Sequence, residues 1–337
     1  MSPDQAAAYL AEIAYHLRHK EDHHRARAFS KVAATLLRER PDLEALHRAG
    51  QLESVEGVGA GIAKVLRELI ETEHSDYLER LRVESGAAAD FASQLTPLVE
   101  QGYQGDLHCH TDWSDGGASV LDMALAAQAR GYRYLAITDH SPRISVVNGL
   151  GPERLAAQRT VIAEGQQRLG SEFTILQGIE VDILPDGTLD LPDEALAELD
   201  VVIASPHLQL RMEPAAMTER MLRALENPHV DIVGHPTGRR PGSRAGAVYD
   251  FERVFKTAAE RKVLMEIDCD PARMDLSPEL AVLALAHGCS FSIDSDAHHT
   301  DEFVYVDLGL WMARRAGIPS ERIINWSPVE RVREAFS

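Results

Sequence analysis

Gly105-Asp106-Leu107-His108-Cys109-His110 begins the part of the chain that decides the fold. It is the first of seven apolar, strand-like runs, and helical stretches separate each run from the next. The other six are YLAITDH (134–140), FTILQGIEVDI (173–183), VVIASPH (201–207), VDIVGHP (230–236), VLMEIDC (263–269) and SFSIDSDAH (290–298). Regular alternation of strands and helices predicts a parallel sheet, either closed into a barrel or open.

The carboxyl ends of these runs are rich in side chains that can bind a metal ion. They are His108, His110, His140, Glu180, His207, His235, Asp296 and His298. A single histidine at a strand end is more often a hydrogen-bonded structural residue, but here the pattern returns at the end of run after run. In a parallel barrel these ends meet on one rim, where active sites are built. The sequence therefore predicts a metal site at that rim.

Strand alternation decides which neighbouring residues join the site. Residues two apart on a strand point to the same side, which pairs His108 with His110 and Asp296 with His298. The same rule predicts that the side chains of Cys109, Ala297 and His299 point away from the metal site. In the loop after the first run, Asp115 can also reach the rim.

The chemistry of these nine side chains limits the choice of metal. Imidazole and carboxylate without thiolate suit zinc, manganese or iron. Nine candidate ligands are too many for one ion, so we expect two or three divalent metals.

The region before the strands has a different character. Residues 5 to 85 show apolar positions at helical spacing, and a Gly57-Val58-Gly59 turn lies between two short helices. A small, polar stretch without pattern follows. We therefore predict a small all-α domain over 1–86, a linker over 87–103 and the α/β domain over 104–337.

Charge and composition exclude some classes of protein. The net charge of −19 argues against a chain that coats nucleic acid through bulk positive charge, although bound cations would reverse the field locally. Three cysteines at unrelated spacings do not suggest a disulfide framework. We see neither a secretory signal nor an apolar run long enough to cross a membrane, so a cytoplasmic location without membrane attachment is expected.

The motifs resemble those of the PHP (polymerase and histidinol phosphatase) family. Residues 105–116 look like its first motif and 137–141 like its second, and 178–180, 205–207, 234–239 and 294–298 supply the rest. The resemblance implies a distorted seven-stranded βα barrel with three metals. One ion would be held by His108, His110, Glu180 and Asp296; a second by Glu180, His207 and His235; the third by Asp115, His140 and His298.

Within this family the chain looks most like the PHP domain of bacterial family X DNA polymerases, through 141–150, 234–239 and 266–276. Residues 5–85 resemble the small N-terminal domain of those polymerases, with its helix-hairpin-helix at 55–65. Such a hairpin presents backbone N–H groups to a DNA phosphate. The residues expected to contact DNA are Arg25, Arg27, Lys31, Gly57, Val58, Gly59, Gly61 and Lys64. A polymerase palm would have to lie between these two regions, and a linker as short as 87–103 cannot hold one, so we do not expect polymerase activity. Val65 stands where some relatives carry a lyase lysine, with Lys64 one step away on a different helix face, so we do not expect lyase activity either.

The expected activity is hydrolysis of a phosphate ester. A hydroxide bridging two ions would attack phosphorus, while Arg143, Arg239 and Arg273, which follow strand ends, would clamp the phosphate. The leading hypothesis is a DNA 3′-5′ exonuclease or 3′-end-processing enzyme of DNA repair. A small-molecule phosphatase acting on histidinol phosphate or a nucleotide is the alternative, and a DNA-binding accessory factor with structural metals is a third.

Overall fold

The computed structural model describes residues 1–20, 22–85, 102–241 and 243–336, and it separates into two compact units. The first unit contains the N-terminal helices together with two short segments from later in the chain, Arg240–Ala245 and Pro271–Arg273. The second unit contains the remaining described residues from 102 onward. Most of the predicted linker, 87–103, lies outside the described residues, so the predicted domain boundaries stay predictions.

Helices make up the first unit. They are α1 (Pro3–His19), α2 (His23–Glu39), α3 (Leu43–Arg48), α4 (Ala60–Thr72) and α5 (Asp76–Ser85). Leu10, Ile13 and Leu17 recur at helical spacing on α1 and are buried. Aspartates are the N-cap residues of the next two helices. Asp22 accepts a hydrogen bond from Arg25 N at the start of α2, and Asp42 accepts one from Ala45 N at the start of α3.

The predicted hairpin joins a short 3₁₀ turn, Leu52–Ser54, to α4. Gly57 in this connection has a φ of +83°, and a Cβ atom there would lie 3.3 Å from Val32 Cγ2. A left-handed backbone this close to a neighbour favours glycine. Val55 and Val58 on either side are buried and anchor the turn.

The second unit is built on seven parallel strands among the described residues. They are β1 (Gly105–Asp106), β2 (Tyr134–Ile137), β3 (Thr174–Asp182), β4 (Val201–Ser205), β5 (Ile232–Val233), β6 (Leu264–Asp268) and β7 (Phe291–Asp294). They pair in chain order, each with the next, in one sheet. The helices between and after them are α6 (Val120–Ala129), α7 (Pro152–Leu169), α8 (Asp193–Leu196), α9 (Pro214–Glu226), α10 (Phe251–Arg261), α11 (Pro278–Ala286), α12 (Val306–Arg315) and α13 (Val329–Ala335).

The first and last strands approach each other and nearly close the sheet. Cys109 and Ala297, just beyond their ends, form a parallel bridge. Leu107 N donates to Asp294 Oδ1 at 2.9 Å, and Asn325 Nδ2 donates to the same oxygen at 2.9 Å. The predicted seven-stranded βα barrel, preceded in the chain by a small helical domain, is therefore confirmed.

The lower part of the barrel is filled with apolar side chains. This core consists of Leu107, Tyr134, Ala136, Leu176, Val201, Ile203, Ile232, Leu264 and Val332. The candidate metal ligands lie beyond this apolar core, at the carboxyl ends of the strands, where barrel active sites are built. No helix in the described ranges is long and apolar enough to cross a membrane.

Candidate metal centre

All nine predicted metal ligands lie at the carboxyl end of the barrel, and the strands bring most of them into three overlapping groups. The ligand atoms of each group lie within 4.8 Å of one another. The groups are His108, His110 and Asp296; His110, Asp115, His140 and His298; and His140, Glu180 and His207. The ninth residue, His235, contacts Glu180.

Glu180, near the end of β3, is the centre of the cluster. Its Oε1 lies 2.6 Å from His235 Nε2 and 3.1 Å from His207 Nε2. Its Oε2 lies 2.8 Å from His140 Nδ1 and 3.5 Å from His108 Nε2. Burial alone would raise the pKa of this carboxyl, but the surrounding histidines outweigh burial and hold the pKa well below its usual range. A buried anion surrounded by imidazoles is a natural bridging ligand.

Asp115 contacts two histidines at the edge of the cluster. Its Oδ1 lies 3.6 Å from His298 Nε2, and its Oδ2 lies 3.6 Å from His140 Nε2. Burial opposes ionisation of Asp115, but the contact with His298 and nearby imidazoles lowers its pKa to about 2. The reciprocal contact raises the pKa of His298 to about 9 against the effect of burial. His140 contacts both carboxylates, so it connects two groups that the family resemblance kept apart.

Many separations between ligand atoms suit shared metal ions better than hydrogen bonds. Metal–ligand bonds of about 2.1 Å put two ligands of one tetrahedral ion about 3.4 Å apart. His108 Nε2 lies 3.6 Å from Asp296 Oδ1, and His110 Nε2 lies 3.6 Å from Glu180 Oε2. The nearby thiol of Cys109 donates to the carbonyl oxygen of Ala136 instead. Imidazole and carboxylate donors at these distances fit zinc, manganese or iron.

The backbone is strained at two of the candidate ligands. His235 has a φ of 26° and Asp296 a φ of 52°. A left-handed conformation costs a residue with a Cβ atom about 1–2 kcal/mol. Strain of this kind is concentrated at functional sites, where the surrounding contacts hold it in place.

Two buried carboxylates that were not predicted orient the histidines. Glu266 Oε1 lies 2.6 Å from His108 Nδ1, and Asp182 Oδ1 lies 3.1 Å from His207 Nδ1. An oxygen that accepts a hydrogen bond from Nδ1–H leaves Nε2 as the ligand atom and fixes the orientation of the ring. His298 is held in the same way, because its Nδ1 lies 2.8 Å from the backbone oxygen of Asp296.

The loop that carries Asp115 is supported by a buried carboxylate on the next strand end. Asp139 accepts hydrogen bonds from Thr111 N at 2.8 Å, Ser114 Oγ at 2.5 Å and Gln158 Nε2 at 2.7 Å. Two of these donors lie within four residues before Asp115, so Asp139 fixes the start of its loop.

The three predicted phosphate-clamping arginines occupy different environments. Arg143 is exposed on the loop after β2, and its backbone N–H donates to Asp190 Oδ2. The guanidinium of Arg239 donates to the carbonyl oxygen of Met274. Arg273 is buried and belongs to the first unit. Clamping by these residues stays a prediction.

Five of the eight predicted DNA contacts line one groove of about 750 Å³ in the first unit, and Arg27, Lys31 and Val58 are not part of its lining. Its lining includes Arg25, Phe29, Gly57, Gly59, Gly61, Lys64, Tyr77 and Arg80. The Lys64 side chain is 74% exposed. Lys31 pairs with Glu56 at 2.8 Å, and Arg25 pairs with Asp22, so these two cations are partly neutralised by neighbours.

Comparison with known proteins identifies both parts of the chain. Residues 106–300 match the family model of the PHP domain, and residues 1–75 match that of a helix-hairpin-helix domain. The predicted resemblance to PHP phosphoesterases with an N-terminal helix-hairpin-helix domain is thereby confirmed.

Individual relatives divide into two kinds. "DNA polymerase/3'-5' exonuclease PolX" of Bacillus subtilis (strain 168) is 40% identical over 254 residues, which cover 75% of this chain and 44% of that protein. "Probable phosphatase TTE1963" of Caldanaerobacter subterraneus is 31% identical over 244 residues, which cover 68% of this chain and 89% of that protein. The chain thus matches less than half the length of the first relative.

A solved structure of histidinol phosphate phosphatase from Lactococcus lactis, complexed with zinc, L-histidinol and phosphate, is more distant. It is 15% identical with a TM-score of 0.46, and the alignment covers 64% of this chain and 95% of that one.

Proposed function

The chain belongs to the PHP domain family, and from this premise we propose that it is a metal-dependent phosphoesterase that acts as a 3′-5′ exonuclease or 3′-end-processing enzyme on DNA. The observation that carries the proposal is Glu180, a buried carboxylate within 3.6 Å of five histidines. Nine ligands gathered around one open rim suit two or three divalent ions and a catalytic role.

The exposure of the side chains indicates where a substrate would enter. Asp115 and His298 are 29% and 30% exposed, whereas Glu180, His108 and His110 are almost completely buried. We infer that the phosphate approaches beside Asp115 and His298. Bound divalent metals would lower the pKa of water and offset charge on the phosphate oxygens.

The chain's own residues supply the rest of the chemistry. The contacts of Glu266, Asp182 and the Asp296 carbonyl with Nδ1 atoms keep the Nε2 atoms of three histidines facing the centre. The loop after β2 carries Arg143, an exposed residue whose guanidinium would bind a non-bridging phosphate oxygen.

The choice of DNA as substrate rests on the first unit. Its groove combines cations with the aromatic rings of Phe29 and Tyr77, whose centroids lie 5.9 Å apart. Cations and rings together suit a phosphodiester backbone and its bases. At a net charge of −19, binding should be local and strongly salt-dependent.

A small-molecule phosphatase is the second candidate. The alignment with the phosphatase relative covers 68% of this chain and 89% of that protein, so about two thirds of this chain corresponds to nearly all of that protein. On this reading the substrate would be a phosphomonoester such as histidinol phosphate or a nucleotide, and the first unit would act only as a lid or in dimerisation.

Parallel assays separate the two candidates. The manganese-loaded protein would be incubated with 3′-labelled duplex and single-stranded DNA, histidinol phosphate and AMP, alongside Asp115→Ala and His298→Ala. We expect nucleotide release from DNA 3′ ends and strong losses in both variants. Hydrolysis confined to the phosphomonoesters would reject the exonuclease, and full activity in both variants would reject the role of Asp115 and His298.

A further inference from the structure

Arg220, on α9, is a buried cation with an unusual environment. The residue is only 2% exposed, and the carboxylate whose charge acts on its guanidinium is that of Asp182. Burial lowers the pKa of the guanidinium, as expected for a charge removed from water. Burying a guanidinium is costly, so the groups that its donors contact matter for the structure around it.

The guanidinium bonds to two backbone carbonyls on different loops. Nη1 donates to the carbonyl oxygen of Leu208 at 2.8 Å, and Nη2 donates to that of Ile183. Leu208 directly follows His207, and Ile183 directly follows Asp182. One side chain thus ties together the loops after β3 and β4.

The two loops begin next to a candidate ligand, His207, and next to the carboxylate that orients it, Asp182. Asp182 Oδ1 lies 3.1 Å from His207 Nδ1, and His207 Nε2 lies 3.1 Å from Glu180 Oε1. Movement of either loop would change the Asp182–His207 contact first. Gly187, in the turn after β3, also packs on α9, because a Cβ atom there would lie 2.7 Å from the carbonyl oxygen of Arg220.

We propose that Arg220 is a positioning residue that holds Asp182 and His207 together and so sets the metal affinity of the His207 site. This inference rests on the proposed metal-dependent function. The flat guanidinium has donors at fixed separations and can span two carbonyls, whereas a lysine ammonium is a single point of donation.

The test compares four variants by metal content and kinetics. They are Arg220→Met, Arg220→Lys, Asp182→Asn and the double variant Arg220→Met/Asp182→Asn. Arg159→Met is the matched control, because Arg159 bonds to Gln177 Oε1 and Glu198 Oε2, both away from the rim loops. Each protein is dialysed against a weak chelator, its metal content is measured by mass spectrometry, and kcat and KM are measured over a range of manganese concentrations.

We expect Arg220→Met to need ten- to hundredfold more manganese for half-maximal activity and to lose one ion on dialysis. Its kcat should fall at low manganese and recover at high manganese, with little change in KM. Arg220→Lys should fall between Arg220→Met and the unmodified chain. The double variant should be no worse than Asp182→Asn, because both changes act through the same histidine.

Wild-type metal retention in Arg220→Met, or additive losses in the double variant, would overturn the inference. If Arg220→Met does not fold, Arg220→Lys carries the test: partial metal loss supports the role and full retention overturns it. Absence of bound metal from the unmodified chain would instead contradict the proposed function itself.

Discussion

His108 Nδ1 lies 2.6 Å from Glu266 Oε1, and both side chains are fully buried. The other oxygen of the same carboxylate accepts a hydrogen bond from His235 N at 2.5 Å. One residue of β6 therefore contacts the candidate ligands that follow β1 and β5. Burial raises the pKa of Glu266 to about 7, even though the charge of His108 opposes this shift. Glu266 therefore holds two candidate ligands in place without being a predicted ligand itself.

Replacing Glu266 with glutamine should weaken metal binding without unfolding the barrel. The amide keeps the size of the side chain, but its oxygen is a weaker hydrogen-bond acceptor for His108 Nδ1–H than a carboxylate oxygen is. Loss of such a supporting contact costs about ten- to hundredfold in metal affinity or activity. Metal titration followed by activity measures this loss. Glu260→Gln, at an exposed position on α10, is the control, and equal metal affinity in the two variants would reject the role of Glu266.

The hairpin turn offers a pair of glycine substitutions with opposite expected signs. Gly57→Ala should lower the free energy of unfolding by about 1–2 kcal/mol, because the φ of +83° disfavours a Cβ atom. Gly61→Ala lies in α4, where no described atom comes within 4 Å of the added Cβ, and should raise it by about 0.5–1 kcal/mol. Urea unfolding distinguishes them. Equal effects would show that the turn does not need glycine.

Removing one cation from the groove should weaken DNA binding in a salt-dependent way. If Lys64 contacts one phosphate, Lys64→Gln should reduce the slope of log K against log salt by about 0.9 for duplex DNA. Fluorescence anisotropy at several salt concentrations gives this slope. Lys256→Gln, at an exposed position on α10 in the barrel, is the matched control. An unchanged slope in Lys64→Gln would place the DNA elsewhere.

Asp231 should make stability depend on pH. Burial raises its pKa from 3.8 to about 8, while its Oδ2 accepts a hydrogen bond from Val202 N at 2.8 Å. The folded chain therefore holds a proton that the unfolded chain releases near pH 4. The resulting stabilisation is complete below pH 4 and is lost as the pH rises to about 8.

Asp231→Asn keeps the acceptor oxygen but cannot ionise. Its Tm relative to the unmodified chain should therefore rise between pH 5 and pH 8. A constant difference in Tm over this range would show that Asp231 ionises normally in the folded chain.

The parts of the fold that repeat could be predicted from the sequence. Seven apolar runs separated by helical stretches predicted a parallel sheet, closed or open, and the family resemblance implied the seven-stranded barrel. The alternation rule also separated His108 from Cys109, and the bridge between Cys109 and Ala297 agrees with that separation. A local pattern that repeats along the chain can be recognised in the sequence alone.

The residues that hold the candidate ligands in position, without being ligands themselves, were not predicted. Asp182 lies two positions after Glu180 on the same strand, so the alternation rule would have included it. Glu266 was visible as a charge inside an apolar run. The proposed role of Arg220 could not be predicted from the sequence, because it depends on two loops that meet only in the folded chain. Nor did sequence indicate that Arg240–Ala245 and Pro271–Arg273 group with the N-terminal helices.

The metal content of Glu180→Gln, compared with that of the unmodified chain, tests the central claim most directly. Glu180 contacts His140, His207 and His235 within 3.1 Å, so losing its charge should affect more than one ion. We predict two or three ions per unmodified chain, at least one fewer in the variant, and a loss of phosphoester hydrolysis of more than about a hundredfold. Less than one ion per unmodified chain, or a variant with full metal content and activity, would contradict the account.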